Sequence, residues 1–180
     1  MKIIVDSREQ LPLKFSHPFK TIIIDTIDNL ITFCNDYICR LNKISHISEM
    51  DNNMGWHLAT SELMRAIIKL SSLPYGLVMV SHSTSKEMKS KTQKWNKWTV
   101  DVGGKNGKRV LALADIILFM DSEIRDEKEC GVIKTKPSSY WEAGDKSTLL
   151  PEEIVYPLRD PKVAYDKIFE CFNKNGQPVV

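Results

Sequence analysis

No stretch of this chain approaches the roughly 18 consecutive apolar residues that a membrane-crossing helix needs, which points away from a helical membrane protein. Its four cysteines (Cys34, Cys39, Cys130, Cys171) form no C-x-x-C pair and have no histidine at zinc-finger spacing. They are expected to be reduced thiols, as in a soluble cytoplasmic protein. The opening MKIIVDSREQ carries an acid at position 6 and lacks a signal-peptide profile. An overall excess of one charge is missing too, because 25 Lys and Arg against 23 Asp and Glu leave a net charge of only +2. A phosphate-cradling loop of the pattern G-x-x-x-x-G-K-[ST] does not occur in these residues. The nearest match, GGKNGKR (103–109), sets Gly103 and Gly107 one position too close and puts Arg109 where a hydroxyl belongs. It is also expected to follow a polar loop rather than a strand.

What is present suits one globular α/β domain over residues 1–180, with 42% hydrophobic and 27% charged residues. KIIVD (2–6) reads as a short strand, and TIIID (21–25) as a strand buried on both faces because its apolar residues do not alternate. A helix is expected from about Asp28, capped by Thr26 or Asp28, with Leu30, Cys34, Tyr37, Ile38 and Leu41 at helical spacing. A second helix from about Trp56 to Leu73 carries Leu63, Ile67 and Leu70 on one face and stops at Pro74 and Gly76. LVMVSH (77–82), DIILFM (115–120) and GVIKTK (131–136) read as further strands, residues 83–109 as a long polar segment, and Pro161–Asn173 as a final helix. Strands alternating with helices predict a mostly parallel sheet with helical cover.

Three groups of residues carry chemistry. Asp25 ends an apolar strand, where doubly wound folds place their ligands, although an acid there also suits a helix cap or turn. Ser81, His82 and Ser83 end the next strand, either as a phosphate- or water-sensing tip or as a solvated strand end. Between Lys86 and Arg109 stand eight cations (Lys86, Lys89, Lys91, Lys94, Lys97, Lys105, Lys108, Arg109) against Glu87 and Asp101, with Trp95 and Trp98 among them. Cations neutralise phosphates and exposed indoles stack on bases, so this segment reads either as a nucleic-acid contact or as a solvated loop anchored by tryptophans. Lys134 and Lys136 lie two apart on one strand face, either reaching an anion across a subunit boundary or protecting a sheet edge.

Taken in order, FKTIIIDTIDNL, GWHLATSELMRAIIKL, GLVMVSHS, GKRVLALADIILFMDSE and KTKPSSYWEAGDKS resemble the phage nucleotide-binding proteins of the RecA-like P-loop ATPase class. The likeness covers residues 19–158, leaving 1–18 as an atypical N-terminus and 159–180 as a C-terminal helix and tail. It implies a RecA-like sheet truncated at its N-terminus, ATP and Mg2+ as cofactors, and a role in DNA recombination on single-stranded DNA in a phage-infected or lysogenic bacterial cell. By the same resemblance Asp25 is the Walker B aspartate, holding magnesium through water, and Ser81 and His82 sit on the sensor strand. Residues 86–109 face DNA, and Lys134 and Lys136 contact the nucleotide of a neighbouring RecA-like subunit or second copy. The family's phosphate loop has no counterpart in these residues, so ATP hydrolysis by this chain alone is not expected. IIVDSREQLPLKF instead resembles the opening motif of XPF-type nucleases, which implies Asp6, Arg8 and Glu9 near a metal. Equally, IIVDSRE is similar to a worn second strand of the ATPase with Glu9 near the catalytic-base position. The alternatives are a metal-dependent nuclease using Asp6 and Glu9, and an inactive prophage remnant.

Overall fold

Four β-branched residues of high strand propensity, Thr21 to Ile24, carry β1 (Thr21–Asp25), and it pairs in parallel with β2 (Gly76–Val80) from Thr21 opposite Gly76 to Asp25 opposite Val80. A computed structural model describes residues 19–102 and 104–173. The chain divides into two compact units, one ending at Ser81 and the other opening at His82.

In the first unit, α1 (Ile27–Asn42) starts at Thr26, whose extended backbone makes it the N-cap although its side chain caps no amide. Ile27, Cys34 and Ile38 form its buried stripe, and it ends where Lys43 turns left-handed at φ 55°. Two short 3-10 turns, Ile47–Glu49 and Asp51–Asn53, lead into α2 (Met54–Ser71). Its buried residues Gly55, Ala59, Leu63 and Ile67 recur every four positions and make the stripe that packs on α1. Each large aliphatic side chain on these stripes contributes about 1.5–3 kcal/mol by leaving water. Gly55 is required by close approach, since a Cβ there would lie 2.7 Å from Ile47 Cγ1.

Among the described residues β1 is covered on one face only. Thr21, Ile23 and Asp25 are exposed, with Ile23 at 64%, while Ile22 and Ile24 are half-buried, so the expectation of burial on both faces fails among the described residues.

The second unit is antiparallel. β3 (Ser83–Lys89) and β4 (Lys94–Val100) form a hairpin, followed by α3 (Gly104–Leu113). The long polar segment 83–109 thus holds two strands and most of a helix, and the GGKNGKR stretch, expected to follow a polar loop, comes after a strand. β5 (Ile116–Ile117) pairs with β8 (Gly144–Asp145). β6 (Phe119–Arg125), β7 (Lys128–Lys134) and β9 (Glu153–Pro157) make a three-stranded sheet with β7 in the middle. Asp126 and Glu127, both at positive φ (50° and 62°), form the two-residue turn between β6 and β7. Such short turns impose antiparallel pairing, which is why the mostly parallel sheet predicted from the strand and helix alternation is not what these residues form. α4 (Lys162–Asn173) closes a core of Ile133, Ile154, Tyr156 and Ala164. At Gly131 a Cβ would meet the Tyr156 hydroxyl at 2.6 Å, so the tyrosine ring takes the space that a side chain would use. The architecture is mixed α/β, with helices and several small sheets.

Candidate functional site

Parallel pairing brings the carboxyl ends of β1 and β2 together, so Asp25 stands opposite Val80, one residue before Ser81. The Asp25–Thr26 peptide is cis. The Asp25 side chain is exposed and has no hydrogen bond or ion pair among the described residues. It is therefore an exposed acceptor, unpartnered among the described residues, at the end of a strand pair. His82 opens the second unit, and its carbonyl accepts from the Asp101 N–H at 2.9 Å. Asp6, Arg8 and Glu9 lie outside the described residues. Among the described residues no group of three or more His, Cys, Asp or Glu could hold a metal ion.

The basic segment is ordered by the hairpin. Alternate residues share a face, so the register puts Trp98, Asn96, Lys94, Lys89 and Ser85 on one side and Trp95, Lys97, Lys86 and Met88 on the other. The two tryptophans therefore face opposite ways. Trp95 is half-buried, and its indole N–H donates to the Ser139 carbonyl at 2.8 Å. Lys97 on the same side pairs with Glu142 at 3.1 Å. Trp98 remains 44% exposed. Glu87 lies 3.0 Å from Lys89 and 3.9 Å from Lys94, neutralising one of these two cations. Lys86, Lys91, Lys108 and Arg109 are exposed, and none has an ion pair among the described residues. The side chain of Lys105 lies outside the described residues.

Lys134 and Lys136 are not at a sheet edge. Lys134 ends the middle strand, Lys136 lies beyond it, and both line a cavity of about 310 Å³ with Pro137, Trp141, Glu152 and Glu153. Lys134 is only 14% exposed at its side chain and lies 2.9 Å from both Glu123 and Glu153. Arg125 completes the network, 2.6 Å from Glu123 and 2.8 Å from Glu153. Hydrogen bonds from Arg125 and Lys134 hold Glu153 down at about 2, and those from Lys134 and Arg125 lower Glu123 as well. The hydrogen bond to Glu153 raises Lys134 in return, against its burial. Its ammonium also sits 5.4 Å from the ring centroid of Trp141, which stacks on Phe119. Lys136 is 3.6 Å from Asp145. Burial pushes Asp145 up, but hydrogen bonds from Ser147 and the amides of Leu150 and Ser147, together with Lys136, bring it below its ordinary value.

The structure thus sets Asp25 beside the end of β2 and joins Lys134 and Lys136 in one cavity, while it parts Trp95 from Trp98. Sequence reasoning missed the Glu123–Arg125–Glu153 network and the position of Trp141. The alternation E-I-R in β6 was the available signal for the first, because it puts Glu123 and Arg125 on one face. The buried Cys34 thiol, raised to about 11 by burial and then by Glu62, suits packing rather than reactivity.

A family model described as "AAA domain" matches residues 4–147. The chain is also similar to the SPbeta prophage-derived uncharacterized protein YorG of Bacillus subtilis (strain 168), 27% identical over 133 residues. That alignment covers 71% of this chain and 36% of YorG, so the chain spans about a third of that relative's length. No solved structure matches.

Proposed function

The chain belongs to the AAA domain family, and from that premise we propose that it works in phage DNA recombination as part of an ATP-dependent protein that binds single-stranded DNA. The observation that carries this reading is Asp25, an exposed carboxylate without a partner among the described residues, at the shared end of a parallel strand pair. Nucleotide-binding α/β proteins use that position for ligands.

Magnesium fits this position in a limited way. One carboxylate cannot hold the ion alone, but it can order the water shell of an ion whose remaining ligands are phosphate oxygens. Bound there, magnesium would offset the phosphates' negative charge. Asp25 supplies acceptors only, and these 180 residues contain no G-x-x-x-x-G-K-[ST] cradle of N–H donors. In this reading the cradle comes from outside these residues. Ser81, one residue past the partner of Asp25, supplies a hydroxyl at the same strand end.

Lys134 and Lys136 are the groups that this chain offers to a nucleotide on a neighbouring subunit. A cation at that place would stabilise charge developing on a transferred phosphoryl group. Lys134 must first leave Glu123 and Glu153, whereas Lys136 has the single, longer contact to Asp145. The test is ATP turnover by an intact family member from the same source, with and without this chain. Stimulation that falls in Lys136→Ala, and falls further in the double Lys134→Ala/Lys136→Ala variant, supports the reading. Turnover unchanged by the wild-type chain refutes the role in trans.

A further inference from the structure

The hairpin register and the strand segment beside it define a surface more specific than a basic stretch. The Trp98 N–H donates to the Tyr140 carbonyl at 2.7 Å, and the Glu142 N–H donates to the Trp98 carbonyl at 3.0 Å. Residues 140–142 thus run parallel to β4 with Trp141 opposite Trp98. Opposed residues of neighbouring strands point to the same face, so the two indoles stand side by side on the face that also carries Asn96, Lys94 and Lys89. The Trp141 ring is fixed by Phe119 and covered by Lys134. Trp98 is the more exposed residue of the two, at 44%. On the other face Trp95 is tied down by its hydrogen bond to the Ser139 carbonyl and Lys97 by its ion pair with Glu142.

We propose that single-stranded nucleic acid crosses the hairpin on the Trp98 face alone. A base stacks on Trp98, and the backbone runs from the cations at the hairpin tip, Lys89, Lys91 and Lys94, towards Trp141. Trp95 is an anchor that fastens β4 to residues 138–142 and touches no base. This assignment rests on the proposed single-strand binding. It divides two tryptophans that the sequence alone treats as equivalent, because an indole can stack only where its face is open to the ligand.

The test is a fluorescence-anisotropy titration of labelled oligothymidylate with the full chain at low salt, using wild type, Trp98→Ala, Trp98→Phe and Trp95→Phe. Melting temperature and near-UV circular dichroism are measured on each. Trp98→Ala is expected to weaken binding at least about fivefold, in keeping with the loss of one stacked base. Trp98→Phe keeps a smaller ring and recovers part of that loss. Trp95→Phe loses the indole N–H and lowers the melting temperature while binding within about twofold of wild type. Wild type that fails to bind overturns the single-strand reading and this assignment with it. Wild type that binds, with folded Trp98→Ala and Trp98→Phe equal to it, overturns the assignment alone. So does a folded Trp95→Phe that loses affinity.

Discussion

On the proposed single-strand binding, raising salt from 50 to 200 mM is expected to weaken oligothymidylate binding about 50-fold, a figure that follows from which cations the hairpin leaves available. Of the eight between Lys86 and Arg109, Lys97 is held by Glu142 and Lys86 projects from the opposite hairpin face. Lys89 and Lys94 share Glu87, leaving one net charge between them. Lys91, Lys108 and Arg109 are exposed, and Lys105 is left out because its side chain lies outside the described residues, so about four cations are counted as available to phosphates. Each phosphate contact on a single strand contributes about 0.7 to the log–log salt slope, so four give about −2.8. A fourfold rise in salt then costs about 50-fold in affinity. Lys91→Ala should flatten the slope to about −2.1, whereas Lys97→Ala should leave it unchanged. The assay is anisotropy at five or six salt concentrations. A slope indistinguishable from zero, or one flattened by Lys97→Ala and unaffected by Lys91→Ala, refutes the count and the face assignment behind it.

Three further outcomes concern stability. Thr135 is fully buried, and its hydroxyl bonds to the carbonyl of Pro151, so Thr135→Val should cost about 1–3 kcal/mol by leaving that acceptor unpaired. Denaturant unfolding checks it, and a cost near zero would mean that the hydroxyl is replaceable. Glu127 holds φ 62° in the two-residue turn, and Glu127→Gly should raise stability by about 0.5–1 kcal/mol, strain relief exceeding the added chain entropy. A lower melting temperature would contradict that turn geometry. Glu153 has its folded pKa depressed to about 2, so its stabilising contribution is present above the unfolded value near 4.5 and is lost as pH falls from there towards 2. Arg125→Gln should shrink this acid limb in pH-dependent unfolding, and an unchanged limb would remove the network as its cause.

Where local chemistry decided the outcome, the sequence was legible. The branched run ending in Asp25 became β1, Leu63 and Ile67 became the buried stripe of α2, and Thr26 became the cap of α1. Pairing partners were not legible, because alternation of strands and helices does not say which strands meet. The parallel expectation holds for β1 and β2, which are joined through two helices, and fails where turns of two or four residues return the chain directly. The continuous apolar run at 21–24 does not reveal that one face of β1 stays open among the described residues. At the candidate site, the composition of residues 86–109 announced cations and indoles. It could not announce that Trp95 and Trp98, three apart, fall on opposite faces of a strand, since that depends on the period of two. Lys134 and Lys136 were visible as a pair, but their acidic partners come from β6, β8 and β9 and are remote in sequence.

The central claim is that Asp25 holds the magnesium side of an ATP site whose phosphate cradle these residues lack. Calorimetric titration of the isolated chain with ATP and magnesium tests it most directly. A micromolar complex corresponds to about 8 kcal/mol, and one water-mediated carboxylate without N–H donors falls far short of that. The expected result is no heat of binding in the micromolar range, for wild type and Asp25→Ala alike. Micromolar affinity in the wild type that disappears in Asp25→Ala would contradict the account and place a complete nucleotide site within this chain.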